Sequence, residues 1–457
     1  MTTPTWITGF EYGLATPVAD GTGLIDAIVG VCTIRNDAVT LRGTYSLRTV
    51  AAATVLAYIS RNMTAGKTFV GRFYIYLPAL PASDRIIFSI TTVGHKIQIL
   101  YDVSQVSFSI GIDGATTQLG TVTVAIDTWY CIDIKAVTSA NPWLIDWQID
   151  SVAQTQLTSA HAAENMSVID YGLRTVGALT AWYDDIVHSV TAADYPIGPG
   201  GTYGLGPNAD GVHNNAANIM EDSAGNDIGA LYPAWNKLDE NPWITTANAD
   251  YVRQTAIGAA NYCEIQFADL LDNMRDIIGV DSLLQYASAT ATANTGGCII
   301  RDGATQTTLW GVVGTLADYS ETTAFYKHVI VTAAAPPHTL ATVNALRCRF
   351  GYSDDADPDP YWLAIMLEVG YRFPATSILV SNAALGVEYK DTDTNMRVSN
   401  AALGVEYKDT DTNMRVSNAA LGVEYKDTTA YMQVSNVALM IEYVVYGWAP
   451  GPSVWIT

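Results

Sequence analysis

Four carboxylates crowd into six residues at Asp354, Asp355, Asp357 and Asp359, in a run that Pro358 and Pro360 stiffen between two stretches of strand character. Carboxylates this close repel one another unless water or a cation lies among them, and oxygen-rich loops of this kind suit Ca2+. A solvated loop is the first reading and a Ca2+ site the second; no other metal or cofactor is expected. Asp391-Thr-Asp-Thr-Asn395 and its copy Asp409-Thr-Asp-Thr-Asn413 also place oxygen donors at alternate positions. The residues that should complete a calcium loop, a glycine and then an acid, are Met396 and Ala402 in the first and Met414 and Ala420 in the second, so these side chains read as caps on their own turns. Asp184 and Asp185 follow Trp182 and Tyr183 on an expected strand, where successive side chains alternate faces. The inward one should tie down a loop backbone, with Ca2+ as the alternative.

Other chemistries find little support. His95, His161, His188, His213, His328 and His338 are scattered without metal-ligand spacing, which speaks against zinc. Gly66-Lys67-Thr68 ends like a phosphate-binding loop, but the glycine required five residues earlier is Arg61. No Gly-x-Ser-x-Gly elbow occurs. No catalytic residue is assigned, and the chain is expected not to be an enzyme. Trp129, Trp143, Trp147, Trp182, Trp235, Trp243, Trp310 and Trp362 offer planar faces that can stack on sugar rings, although packing in a core is the default for each.

The elements that position these groups are strands, most plainly in the last quarter of the chain. A Leu-x-Val-x-Tyr phrase recurs every 18 residues from Leu367, and residues 380–397 and 398–415 are letter-for-letter identical. Alternation in Leu-Gly-Val-Glu-Tyr and in Met-Arg-Val, separated by a polar run, is strand and turn chemistry repeated as an array. One copy holds about seven apolar side chains worth roughly 2 kcal/mol each when buried, against about 1.5 kcal/mol for ordering each residue, so it does not fold alone. Leu385, Val387, Tyr389, Leu403, Val405, Tyr407, Leu421, Val423 and Tyr425 are the expected assembly residues. They would bury against neighbouring copies in the same chain, against sister chains, or both. Glu388, Glu406 and Glu424 lie between the inward Val and Tyr and should face solvent.

Upstream, residues 1–196 alternate in about a dozen short runs with turn signals between them, which predicts a first β-sandwich. A Pro/Gly stretch at 197–204 reads as a linker, 205–366 as a second sandwich with one short helix near 267–278, 367–446 as five repeats, and 447–457 as a cap. The fold class is therefore all-β: two jelly-roll or β-sandwich domains followed by an 18-residue-period array. Only 15% of the chain is charged, which suggests buried subunit contacts, and the net charge of −22 argues against nucleic acid as a partner. Neither an export signal nor an apolar run long enough to span a bilayer is visible, so membrane insertion is not expected and synthesis and assembly are placed in the cytoplasm. The five cysteines, Cys32, Cys131, Cys263, Cys298 and Cys348, read as buried thiols.

Several landmarks come in a familiar order: Gly-Phe-Glu-Tyr-Gly at the start, Gly43-Thr-Tyr-Ser-Leu-Arg48, the strand at 69–77, Thr128-Trp-Tyr-Cys-Ile-Asp-Ile-Lys135, and Trp182-Tyr-Asp-Asp-Ile-Val187. Over about 190 residues this order resembles laminin-G-like (concanavalin A-like) jelly rolls. With a second sandwich and tandem repeats behind it, the whole resembles structural proteins on the outside of tailed-bacteriophage virions. That resemblance implies a fibre, spike or capsid decoration on the virion that assembles as a homotrimer, contacts other virion proteins and meets host surface glycans. A glycan-binding adhesin is the alternative, and a capsule depolymerase a further one. Glycan-cleaving members of the superfamily carry a Glu-x-Asp-x-x-Glu strand, and the nearest phrase here, Trp147-Gln-Ile-Asp-Ser151, holds one acid.

Overall fold

The structure is a computed structural model. It describes residues 4–13, 25–36, 39–211, 220–225, 234–239, 251–254, 262–271, 274, 276–288, 294–303, 308–316, 325–331, 338–351 and 360–372, together with the backbone of the repeat strands between 377 and 456. The described chain is nearly all β, as the alternation predicts, and its one α-helix among the described residues, Leu340–Asn344, is capped by Thr339 and Thr342. Where a helix was expected near 267–278, Tyr262–Phe267 and Asp276–Ser288 are strands and the described residues between them are not helical.

The first sandwich pairs two antiparallel sheets. One runs in the order Val152–Ala153, Trp143–Ile149, Trp129–Val137, Thr68–Tyr76, Leu179–Ser189, Ser46–Ala51 and Val31–Arg35. The other runs Ala115–Thr123, Ser107–Ile112, Lys96–Asp102, Arg85–Thr92, Met166–Leu173, Ala57–Gly66 and Ala27–Val29. Alternate residues of each strand meet in the core, where the Phe73 and Phe88 rings stack at 4.9 Å and the Tyr183 hydroxyl crosses between sheets to the Ile87 carbonyl at 2.8 Å. Trp143 and Trp147 are core residues, and each indole donates to a carbonyl, Ala162 O at 2.7 Å and Thr155 O at 3.0 Å. Cys32, Cys131, Cys263 and Cys348 are buried and form no disulfide among the described residues.

A second pair of sheets follows, one of them built around Pro360–Arg372 and the other around Leu346–Gly351. Residues 1–270 and 277–372 form a single compact unit, so the linker expected at 197–204 is corrected. Ile197 is buried and Gly200–Leu205 pairs residue for residue with Pro360–Arg372. The glycines there serve close approach: a Cβ on Gly200 would lie 2.1 Å from the Tyr371 carbonyl oxygen. The first Leu-x-Val-x-Tyr copy, Leu367 to Tyr371, belongs to this antiparallel sheet and not to the array.

The remaining repeats coil within one chain. Each 18-residue period supplies one strand to each of two parallel sheets. Ser377–Ser381, Thr394–Ser399, Thr412–Ser417, Ala430–Ser435 and Val454–Ile456 form one; Ala384–Tyr389, Ala402–Tyr407, Ala420–Tyr425 and Ala438–Tyr443 form the other. Pairing is in register, so Leu385, Leu403, Leu421 and Leu439 form a column, as do Val387, Val405, Val423 and Ile441, and Tyr389, Tyr407, Tyr425 and Tyr443. Val454–Ile456 pairs with Ala430–Ser435, so the stretch expected as an aperiodic cap contributes a strand. Because residues 380–397 and 398–415 are identical, removing one whole coil returns the same pairs. Deleting residues 398–415 should leave a cooperative, protease-resistant array one coil shorter, whereas deleting only 398–406 should abolish its β signal in circular dichroism, since the two strand types would then face the wrong partners.

Candidate functional site

One outward-facing row crosses five adjacent strands of the larger sheet of the first sandwich. Thr33 lies opposite Arg48, Arg48 opposite Trp182, Trp182 opposite Tyr76, and Tyr76 opposite Trp129. Residues directly opposite in an antiparallel ladder point to the same face, and their chain neighbours Leu47, Ile75 and Tyr183 point into the core. With strands about 4.8 Å apart, the row is about 19 Å long. The Tyr76 ring meets Trp129 at 5.4 Å and stands edge-on to Trp182 at 5.6 Å; the Arg48 guanidinium lies over the Trp182 ring at 5.5 Å. Tyr76 and Arg48 are half-buried and Trp129 and Trp182 are each 7% exposed, so the row is a ledge with its tryptophans set back. The Tyr76 hydroxyl donates to Asp127 at 2.7 Å.

Beside the row the same face is buried and polar. Asp184 accepts from the Leu41 amide at 3.3 Å, and the Ser46 hydroxyl donates to the Val39 carbonyl at 2.9 Å, so residues 39–41 are strapped down against Trp182 and Trp129. A register shift after Asp184 and a positive φ of 51° at Asp185 break the alternation expected there. Both aspartates are buried and both tie down backbone: Asp185 accepts from the Thr202 amide at 2.6 Å and hydroxyl at 2.8 Å, and pairs with Arg42 at 3.2 Å. Arg72, wholly buried, donates to the carbonyls of Asp185, Gly198, Tyr371 and Gly201. Glu368 accepts from the Glu11 amide at 2.7 Å, and Glu11 from the Thr44 amide at 3.0 Å. Burial pushes Glu11 up to about 8 and holds Asp184 and Glu368 well above the usual carboxylate range, with neighbouring acids adding to the effect in each case.

The sequence-predicted sites fare differently. Asp354, Asp355, Asp357 and Asp359, and the Asp391 and Asp409 turns, lie outside the described residues. Leu385, Val387, Tyr389 and their copies are placed by backbone register alone. Spacing missed one histidine pair: His95 and His161 bring their rings to 3.9 Å beside Trp143, with His95 held by Asp113 at 2.7 Å. Among the described residues no three acids, histidines or cysteines are placed to hold a metal. Of the tryptophans, Trp129 and Trp182 share the row, and nothing in their spacing announces it; cross-strand register does.

No protein-family model matches the chain, and no curated protein does. Solved structures that it resembles include an alginate lyase of polysaccharide lyase family 7 (9% identity, 32% of this chain and 77% of that one, TM-score 0.27). Others are the carbohydrate-binding module CBM66 from Bacillus subtilis (9%, 35% and 96%, 0.26) and the catalytic domain of a GH131 β-glucanase from Podospora anserina (9%, 41% and 93%, 0.27). None of these three names a virion component, and likeness of this degree assigns no substrate. The expectation that the chain is not an enzyme is corrected: the structures it resembles include enzymes as well as a binding module. That expectation rested on the absence of any catalytic constellation in chain order, whereas Glu11, the adjacent Asp184 and Asp185, and Glu368 come from three segments that meet only in the fold.

The raised acids set the sign of a pH dependence. Folding holds a proton on Glu11 that the unfolded chain releases near 4.5, so stability is full below that pH and declines until the folded group ionises at about 8. Glu11→Gln should flatten the fall of the thermal midpoint between those limits, on the order of 1 kcal/mol per pH unit for the wild type. Equal slopes for the two proteins would refute this.

Proposed function

We propose that the first sandwich recognises glycans, with the row Thr33, Arg48, Trp182, Tyr76 and Trp129 as its contact surface. The observation that carries this reading is the row itself: three aromatic rings and a cation aligned across the strands on one face. Sugar rings present apolar C–H faces to aromatic surfaces and hydroxyls to flanking polar groups, and this row supplies both. Trp143 and Trp147 spend their indole donors on carbonyls within the fold, whereas the Trp182 indole, like that of Trp6 in the core, has no such partner.

A second reading is a virion surface scaffold built as a homotrimer. What favours it is the array, whose in-register coils make the repetitive rod suited to a stalk. Native mass spectrometry giving only monomer would remove that reading.

Glycan recognition is tested at Tyr76, which is half-exposed and replaceable without opening the core. On an oligosaccharide array followed by calorimetry, Tyr76→Ala should weaken the strongest ligand by about tenfold, while Tyr76→Phe, which keeps the ring and loses the Asp127 bond, should stay within about threefold of wild type. Equal affinity of wild type and Tyr76→Ala would refute the assignment of the row.

A further inference from the structure

Three neighbours in the row carry polar atoms shielded from water and without a hydrogen-bond partner: the Thr33 hydroxyl, the Arg48 Nε and the Trp182 Nε1. Most buried polar groups are satisfied, so three contiguous exceptions on one face require an account. Arg48 makes no ion pair or hydrogen bond among the described residues; its charge meets only the Trp182 ring. This happens in a chain where 45 acids face 23 lysines and arginines. Elsewhere beside this sheet the arginines are engaged, Arg42 of the loop before Ser46–Ala51 with Asp185 and Arg72 of Thr68–Tyr76 with four carbonyls.

We infer that the Arg48 end of the row binds an acidic group of the glycan, a uronic acid carboxylate or a sulfate ester. This rests on the glycan reading above and narrows it. A guanidinium over an indole keeps its plane fixed, and its fork of N–H donors matches two oxygens of one anionic group. Trp182 and Thr33 flank Arg48 on the two neighbouring strands, and their unpartnered donors would serve the remaining oxygens or an adjacent ring hydroxyl once side-chain movement opens them to the ligand. Tyr76 and Trp129 then lie where the next sugar along the strand-crossing direction would stack. A neutral glycan would leave the charge unmatched.

The test uses the full chain and calorimetry at low salt. Three probes share the question between them: hexagalacturonic acid, its fully methyl-esterified and therefore neutral form, and a sulfated cello-oligosaccharide. An acidic probe should bind at least tenfold more tightly than the methyl ester and lose that advantage in 0.5 M salt, about a Debye length of 4 Å. Arg48→Met, which keeps the stem on the indole, should bring the acidic probe down to the level of the ester, and Arg48→Lys should fall between. Whichever of the uronate and the sulfated probe binds names the source of the charge. Acid and ester binding equally, no anionic probe binding, or Arg48→Met and Arg48→Lys both binding like wild type, would each overturn the inference. The glycan reading itself is judged separately by the Tyr76→Ala comparison, which needs no charged ligand.

Discussion

A sheet whose outer face is part solvent-exposed and part covered must satisfy every charge it takes under the cover. Here that demand falls on Arg72 and Arg42, projected from the first sandwich toward the segment 198–202 and the strand Pro360–Arg372. Arg72 is wholly buried and finds only carbonyl oxygens, four of them, so its charge is distributed over backbone dipoles. Losing one partner of such an arrangement leaves a charge in a low-dielectric interior, which is far costlier than the net gain of forming it. The unit formed by residues 1–270 and 277–372 therefore depends on these contacts to keep its sandwiches together in a single arrangement.

The acids in the same seam show the reverse solution. Burial and one another's proximity raise Glu11, Asp184 and Glu368 above the usual carboxylate range, and each carboxyl accepts from a backbone amide. The bulge at Asp185 belongs to this arrangement, because a regular strand would have sent that side chain into the core. Where the cover ends the same strands emerge as the ring-lined ledge. The seam and the row are thus two parts of one sheet face, and the strap at 39–41, anchored on Asp184, marks the boundary between them.

The repeat array obeys a simpler constraint. Parallel in-register coils put like residues in columns, which favours Leu, Val and Tyr beside copies of themselves and sets Glu388, Glu406, Glu424 and Glu442 in register with one another. A row of acids was expected from the period; that its members stack within one chain came from the pairing.

Strand content, the turn signals between strands and the 18-residue unit were all legible in the chain, because side-chain alternation and periodicity are local properties of neighbouring residues. The buried state of Trp143 and Trp147 was legible as a default for large rings. Other features were not. The stretch at 197–204 looked like a linker because glycine and proline signal both turns and close backbone approach, and only the partner strand distinguishes them. The row of Thr33, Arg48, Trp182, Tyr76 and Trp129 draws one residue from each of five strands, with neighbours separated by up to 134 positions, between Arg48 and Trp182. Sequence alone determined what each strand would present to its two faces; tertiary pairing decided which residues of different strands would stand side by side, because register is set by contacts between segments that the chain order does not encode.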